Sequence, residues 1–229
     1  MSTETANVQA RKTLNSHSNP TIDSINNTLI QWAQRLQALS QTGLTYAEDP
    51  YDRERYEEIR QIAAEIMALP LHAEPAELVG LFQAEDGYAT PKIDVRGVVI
   101  QDEKVLLVRE RSDGGWTLPG GWSDVGDSPS EAVEREIREE SGYEAKAVKL
   151  LALYDRSKHG HPPIPYHAYR AFFRCEIVGG SPAVSDETDG VNFFALEALP
   201  PLSVARITAA QIAHFFDHAR NPDWPTDYD

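Results

Sequence analysis

After Pro20 the apolar residues Ile22, Ile25, Leu29, Trp32, Leu36 and Leu39 recur at spacings of three and four, which draws one stripe along a helix. Gly43 is the expected stop. A second helix is predicted to begin with Asp49 as N-cap and Pro50 at its first helical position, and to run through Tyr56, Ile59, Ala63 and Ile66 to Pro70. A short third helix is expected near 75–82, before a turn at Gly87. The first two helices would form an antiparallel hairpin too small to bury both stripes alone, so it must pack on the rest of the chain or on a second copy. A homodimer through these helices is the expectation.

From Ile93 the texture changes to short β-rich runs at 95–100, 105–108, 147–153, 166–177 and 191–194. One strongly capped helix interrupts them, and a last helix is expected at 209–219. Strands on both sides of a helix indicate an α/β sandwich with a mixed sheet. The expected organisation is a disordered tail at 1–20, a small helical domain at 21–85 and a larger α/β domain at 90–220, with 221–229 as a polar end.

The interrupting helix carries the chemistry. Ser128 with Glu131 three residues on forms a capping box, Pro129 takes the first helical position and Gly142 supplies the stop. On this helix Glu136, Glu139 and Glu140 fall within an arc of about 100°, because a helix turns once in about 3.6 residues. Like charges so placed repel unless neutralised, and a hard divalent cation turns the repulsion into ligation. Magnesium is the natural occupant, with manganese as the alternative. Leu118-Pro119-Gly120-Gly121 precedes the helix, and a Gly-Gly pair permits a close approach denied to other residues. Gly120 is therefore a candidate to point its carbonyl at the metal.

Composition narrows the partners. With 36 acidic against 21 basic residues, the net charge of −15 repels extended nucleic acid, while a small anion remains accessible through a bridging cation. The one cysteine, Cys175, forms no internal disulfide and gives no soft-ligand cluster, which fits a reducing cytoplasm. No apolar run is long enough to span a bilayer, so no membrane partner is expected. His159, His161 and His167 do not make a structural zinc set, which takes four ligands. No nucleophile elbow, phosphate-binding loop or dinucleotide fingerprint is visible.

The segment from Gly121 to Tyr143 resembles the Nudix box, Gly-x5-Glu-x7-Arg-Glu-U-x-Glu-Glu-x-Gly-U, where U is bulky and apolar. Here Gly121, Asp127, Arg135-Glu136-Ile137, Glu139-Glu140 and Gly142-Tyr143 stand at the required spacings, and Asp127 alone departs from the pattern by replacing a Glu. The helical hairpin, the linker from Thr90 to Arg96, and Asp186-Glu187-Thr188-Asp189-Gly190 followed by Phe193-Phe194 resemble the Nudix subgroup with an N-terminal helical domain. Its reference activity is CDP-choline pyrophosphatase.

The resemblance implies an α/β/α sandwich and a magnesium-dependent pyrophosphohydrolase of a nucleoside diphosphate linked to another group. A CDP-alcohol is the first expectation for that substrate and ADP-ribose the second. It implies Glu136 and Glu140 as principal ligands, with the Gly120 carbonyl beside them. Glu139 is either a ligand to a second ion or the base that takes the proton from water. Arg135 orients the acidic cluster, Asp127 braces the loop and helix, and Glu187 supplies a further ligand or base. Arg96, Arg109 and Arg111 are candidates to grip phosphate, and Trp116 or Trp122 to stack on a base or sugar. The alternatives are a nucleotide-sensing module without turnover and an RNA-end hydrolase.

Overall fold

The computed structural model describes residues 20–229, so the expected N-terminal tail lies, but for Pro20, outside the described residues. The chain divides into two compact units, one reaching Thr90 and including Pro163–Pro165, the other formed by Pro91–Pro162 and Tyr166–Asp229.

The first unit holds helices α1 (Pro20–Tyr46), α2 (Pro50–Leu71) and α3 (Pro75–Gln83). The Asp49 carboxylate caps α2, accepting from the backbone N–H groups of Tyr51 at 2.8 Å and Asp52 at 3.2 Å. Gly43 does not end α1, which continues to Tyr46. A Cβ at position 43 would lie 2.3 Å from the Tyr56 ring, so this glycine serves the close approach of two helices rather than a stop.

The buried face of α1 is also not the predicted stripe. Ile30, Ala33, Gln37, Ser40 and Gln41 are buried, whereas Ile22, Ile25, Trp32 and Leu39 are more than half exposed. The buried face lies about a quarter turn round the helix from the bulky stripe. Small residues explain the choice: Ala33 meets Ala63, Ala64, Met67 and Ala68 in a thin core completed by Leu78 and Phe82, and only short side chains let helices pack so closely.

The second unit is the α/β sandwich. A mixed sheet has the order β1 (Lys92–Val98), β6 (Ala168–Gly180), β5 (Tyr143–Asp155), β8 (Asp227–Tyr228). In it β1 runs parallel to β6, β6 antiparallel to β5, and β5 parallel to β8. The other sheet is antiparallel and centres on β3 (Lys104–Glu110), flanked by β2 (Ile100–Gln101), β4 (Trp116–Thr117) and β7 (Thr188–Ala195).

Helix α4 (Pro129–Ser141) packs Ala132, Val133 and Ile137 against Val95, Leu106 and Ala171. Helix α5 (Ala209–Arg220) packs Ile212, Phe215 and Phe216 against Val98, Leu107 and Phe172 in a separate cluster. Alternation along β3 sends Leu106 to one core and its neighbour Leu107 to the other, which is how the strand layer joins two helical layers. Cys175 is buried in β6, and burial pushes its thiol up to about 12, which leaves it inert.

The expected polar end at 221–229 is instead tied down. Residues Asp227 and Tyr228 pair with Ala152 and Leu153, Thr226 donates to the Leu150 carbonyl at 2.7 Å, and Lys149 Nζ holds the carbonyls of Pro222 and Trp224 at 2.6 Å. Isolated polarity misled the sequence reading, because the pairing partners lie some 70 residues upstream.

Candidate active site

Helix α4 is delimited at both ends by the residues expected to do so. The Ser128 hydroxyl accepts from the Glu131 N–H at 3.3 Å while the Glu131 carboxylate accepts from the Ser128 N–H at 2.9 Å, and Gly142 closes the helix at φ 75°. The loop before it lies along β1: Gly97 N–H donates to the Pro119 carbonyl and Val95 N–H to the Gly121 carbonyl, both at 2.8 Å. At Gly120 φ is +146°, and a Cβ there would fall 2.0 Å from the Val95 carbonyl oxygen. Only glycine fits.

This contact brings the loop onto the carboxylates. The Gly120 N–H donates to Glu140 Oε2 at 2.9 Å, and a Cβ on Gly121 would come within 3.1 Å of Glu136 Oε2. Glu140 is buried, and burial pushes its carboxyl up to about 8 against the pull of Arg96 and the Gly120 N–H. Burial also raises Glu136, opposed by Arg135. Two hard carboxylates raised by desolvation beside a glycine-lined loop fit a divalent cation, whose charge supplies what water no longer does.

Arg135 gathers the rest of the acidic set. Its guanidinium reaches Asp127 at 3.1 Å, Glu136 at 2.9 Å, Glu139 at 3.1 Å and Asp124 at 3.2 Å. Asp127 thus contacts the helix through Arg135, one methylene shorter than the usual residue but still within hydrogen-bond distance.

The remaining candidates separate into two groups. Arg96 is buried and does not offer a free fork to phosphate: it donates to both Asp94 oxygens at 2.8 and 3.2 Å and to the Leu118 carbonyl at 3.2 Å. Its place in β1, whose inner residues are covered on both faces, explains why its charge is spent internally. Arg109 and Arg111 sit at the open end of β3, where Arg109 pairs with Asp189 at 2.6 Å and Arg111 donates to the Ser185 carbonyl at 3.2 Å. Glu187 is exposed in the adjoining loop, and its carbonyl accepts from the Arg111 N–H at 2.9 Å. Thr188 ties that loop to α4 by donating to the Glu140 carbonyl at 2.7 Å. Trp122 is 45% exposed beside the glycine loop, whereas Trp116 packs edge-on against Phe194 at 4.7 Å.

Sequence reasoning missed Asp94, Glu110 and Arg170. Asp94 stands opposite Arg170 in the β1–β6 register and binds it at 2.9 Å, so one carboxylate is shared by two buried arginines. Burial pushes Asp94 up, but Arg96 and then Arg170 outweigh it and hold the carboxyl below its ordinary range. Glu110 is buried at a bulge in β3, paired with Arg206 at 3.1 Å, and raised by burial. Charges alternating with apolar residues inside a strand were the available signal, since Asp94 and Arg96 share one face. The three histidines take separate partners: His159 pairs with Asp229, His167 with Asp155, and His161 Nδ1 donates to the Val204 carbonyl at 2.8 Å.

A capped, Glu-lined helix held against a twin-glycine loop in an α/β/α sandwich defines a class, and sequence comparison agrees with it. Residues 91–215 match the NUDIX domain, and residues 27–82 match Nudix_N, described as a UDP-X-like, N-terminal oligomerisation domain. The chain belongs to the Nudix family, as a hydrolase of phosphoanhydride bonds.

It is 46% identical over 200 residues to the putative ADP-ribose pyrophosphatase YjhB of Bacillus subtilis (strain 168), a match covering 87% of this chain and 96% of that protein. Among solved structures, a UDP-X diphosphatase is 34% identical with a TM-score of 0.58, covering 89% of this chain and 99% of that one. An ADP-ribose pyrophosphatase from Streptococcus suis 89-1591 is 38% identical with a TM-score of 0.57, covering 61% of this chain and all of that one. Among the described residues no helix is long and apolar enough to cross a membrane.

Proposed function

We propose that this chain is a magnesium-dependent pyrophosphohydrolase of a nucleoside diphosphate linked to a further group, of the ADP-ribose or UDP-linked kind before the CDP-alcohols, acting as a homodimer through its N-terminal helices. The observation that carries the reaction is the seating of Glu140 and Glu136 beside the Gly120–Gly121 loop. The names of the relatives support the order of substrates.

Glu136, Glu140 and the Gly120 carbonyl would hold the ion, with Glu139 completing the acidic arc. Bound Mg2+ supplies charge neutralisation at the pyrophosphate and a water of lowered pKa. Glu139 and Glu187, both exposed, are the carboxylates that would take a proton from the attacking water, and Arg135 keeps the helix carboxylates aligned by charge-assisted hydrogen bonds. Arg109 and Arg111 face the phosphates from the end of β3, while Arg96 acts from beneath as a positioning residue. Trp122, exposed beside the loop, is the surface on which a base or sugar stacks.

The test is a panel of ADP-ribose, a UDP-sugar, CDP-choline and triphosphorylated RNA, assayed for nucleoside monophosphate with and without Mg2+. Release from ADP-ribose or the UDP-sugar is expected, lost with chelation and reduced about 10³-fold or more in Glu140→Gln, in line with removal of a group essential to charge stabilisation. Tight binding of a conjugate without turnover under any divalent ion, or an unimpaired Glu140→Gln, would overturn the proposal.

A further inference from the structure

Helix α5 carries His214 and His218, four residues apart and therefore one above the other on the same face. Both Nε2 atoms are directed at one oxygen of Asp227: His218 lies 3.2 Å from Oδ2, and His214 contacts the same atom. All three potential ligand atoms lie within 4.8 Å of one another, the one grouping of this kind among the described residues. The Tyr154 hydroxyl stands 3.4 Å from the same Oδ2. Trp224 walls the site, its ring centroid 5.4 Å from that of His218 and 6.1 Å from that of His214.

The third member of the set is not a loose side chain. Asp227 belongs to β8, which pairs with Ala152 of β5, and the bonds from Thr226 and Lys149 anchor the residues before it. His218 is fully buried, and its Nδ1 has no hydrogen-bond partner. A latch of two imidazole N–H groups on a carboxylate has two oxygens to use. Here both imidazoles and the phenol converge on Oδ2 alone, which draws the donor atoms of His214, His218 and Asp227 together. Ligands bound at about 2.0–2.1 Å with tetrahedral angles stand roughly 3.3 Å apart, close to the His218–Asp227 spacing. Two imidazoles and one carboxylate on adjacent elements form a donor set suited to nitrogen-preferring first-row ions, whereas the all-oxygen set on α4 suits Mg2+.

We propose that His214, His218 and Asp227 form a second metal site, for Zn2+, which clasps the C-terminal strand β8 onto α5. The site is separate from the carboxylate cluster, because α5 and α4 pack in different hydrophobic clusters of the sandwich. With three protein ligands, a fourth position is available to water or to the Tyr154 hydroxyl.

The test uses the full chain without an affinity tag, freed of metal by chelator, with Co2+ as optical probe and Zn2+ as competitor. In a Glu136→Gln/Glu140→Gln background, one equivalent of Co2+ is expected to give visible d–d absorption that Zn2+ displaces, and Zn2+ is expected to raise Tm by a few degrees. Adding His214→Ala or, separately, Asp227→Asn should weaken Co2+ binding at least tenfold and abolish the Tm shift, with far-ultraviolet circular dichroism unchanged. Absence of stoichiometric binding in the Glu136→Gln/Glu140→Gln protein overturns the proposal and leaves a hydrogen-bonded latch. Binding that survives both His214→Ala and Asp227→Asn overturns it equally.

Discussion

A methyl group added at position 120 would meet the Val95 carbonyl at 2.0 Å, at a backbone angle of φ +146° that L side chains rarely adopt. Gly120→Ala is therefore expected to lower stability by about 2–4 kcal/mol, read from urea unfolding, and to cut activity further by pulling the Gly120 N–H away from Glu140. A loss under about 0.5 kcal/mol would show that the loop adapts and that its tight seating is not required. His161 carries a different liability. Burial, with Arg170, Arg156 and His159 nearby, lowers its pKa to about 4 against the opposing bond to Val204. Because the folded value lies below the unfolded value of 6.5, the unfolded chain binds more protons between those limits. The contribution of His161 to stability is thus full above pH 6.5 and is lost as pH falls towards 4. His161→Asn should flatten this part of the stability profile, measured by denaturant titration at several pH values; an unchanged slope would remove His161 as its origin.

At the scale of the element, α4 depends on its caps as much as on its apolar face. Ser128→Ala is expected to cost about 1 kcal/mol of stability, the usual value for an N-cap, and to loosen the first turn, raising amide exchange there before it affects the C-terminal carboxylates. Equal exchange in both turns would mean that packing alone fixes the helix. Caps are local signals, which is why α2, α4 and the Glu136–Glu140 arc were legible in the sequence. Gly43 was misread because a helix-stopping glycine and a helix-crossing glycine look alike until Tyr56 is placed beside it. The partners of Arg96 were only half legible for a related reason. Its residue type suits phosphate, and its pairing with Asp94 two residues away on the same strand face is local, but the β1–β6 register that sets Arg170 opposite the same carboxylate is not, because strands so distant in sequence meet only in the fold. The C-terminal strand β8 and the Glu110–Arg206 pair were hidden by the same long range.

For the whole molecule, the largest unanswered demand is the bulky stripe of α1. Ile22, Ile25, Trp32 and Leu39 remain 53–63% exposed although Ala33, a quarter turn away, is fully buried. Such a row is costly in water: each fully buried side chain of this size contributes about 1.5–3 kcal/mol. A second copy answers it without new chemistry, because a two-fold axis lets the stripe pack on itself. A net charge of −15 opposes nonspecific association, so the attraction has to be concentrated in an apolar patch such as this one. Trp32 is the expected anchor, since aromatic residues near the centre of an interface carry a disproportionate share of its energy. Trp32→Glu combined with Leu39→Glu should therefore convert a dimer mass into a monomer mass in light scattering at micromolar concentration. Helical content should hold, because neither side chain belongs to the Ala33–Met67 core. A wild-type chain that scatters as a monomer, or a variant that still scatters as a dimer, would move the interface off this stripe and leave its exposure to be accounted for by some other partner.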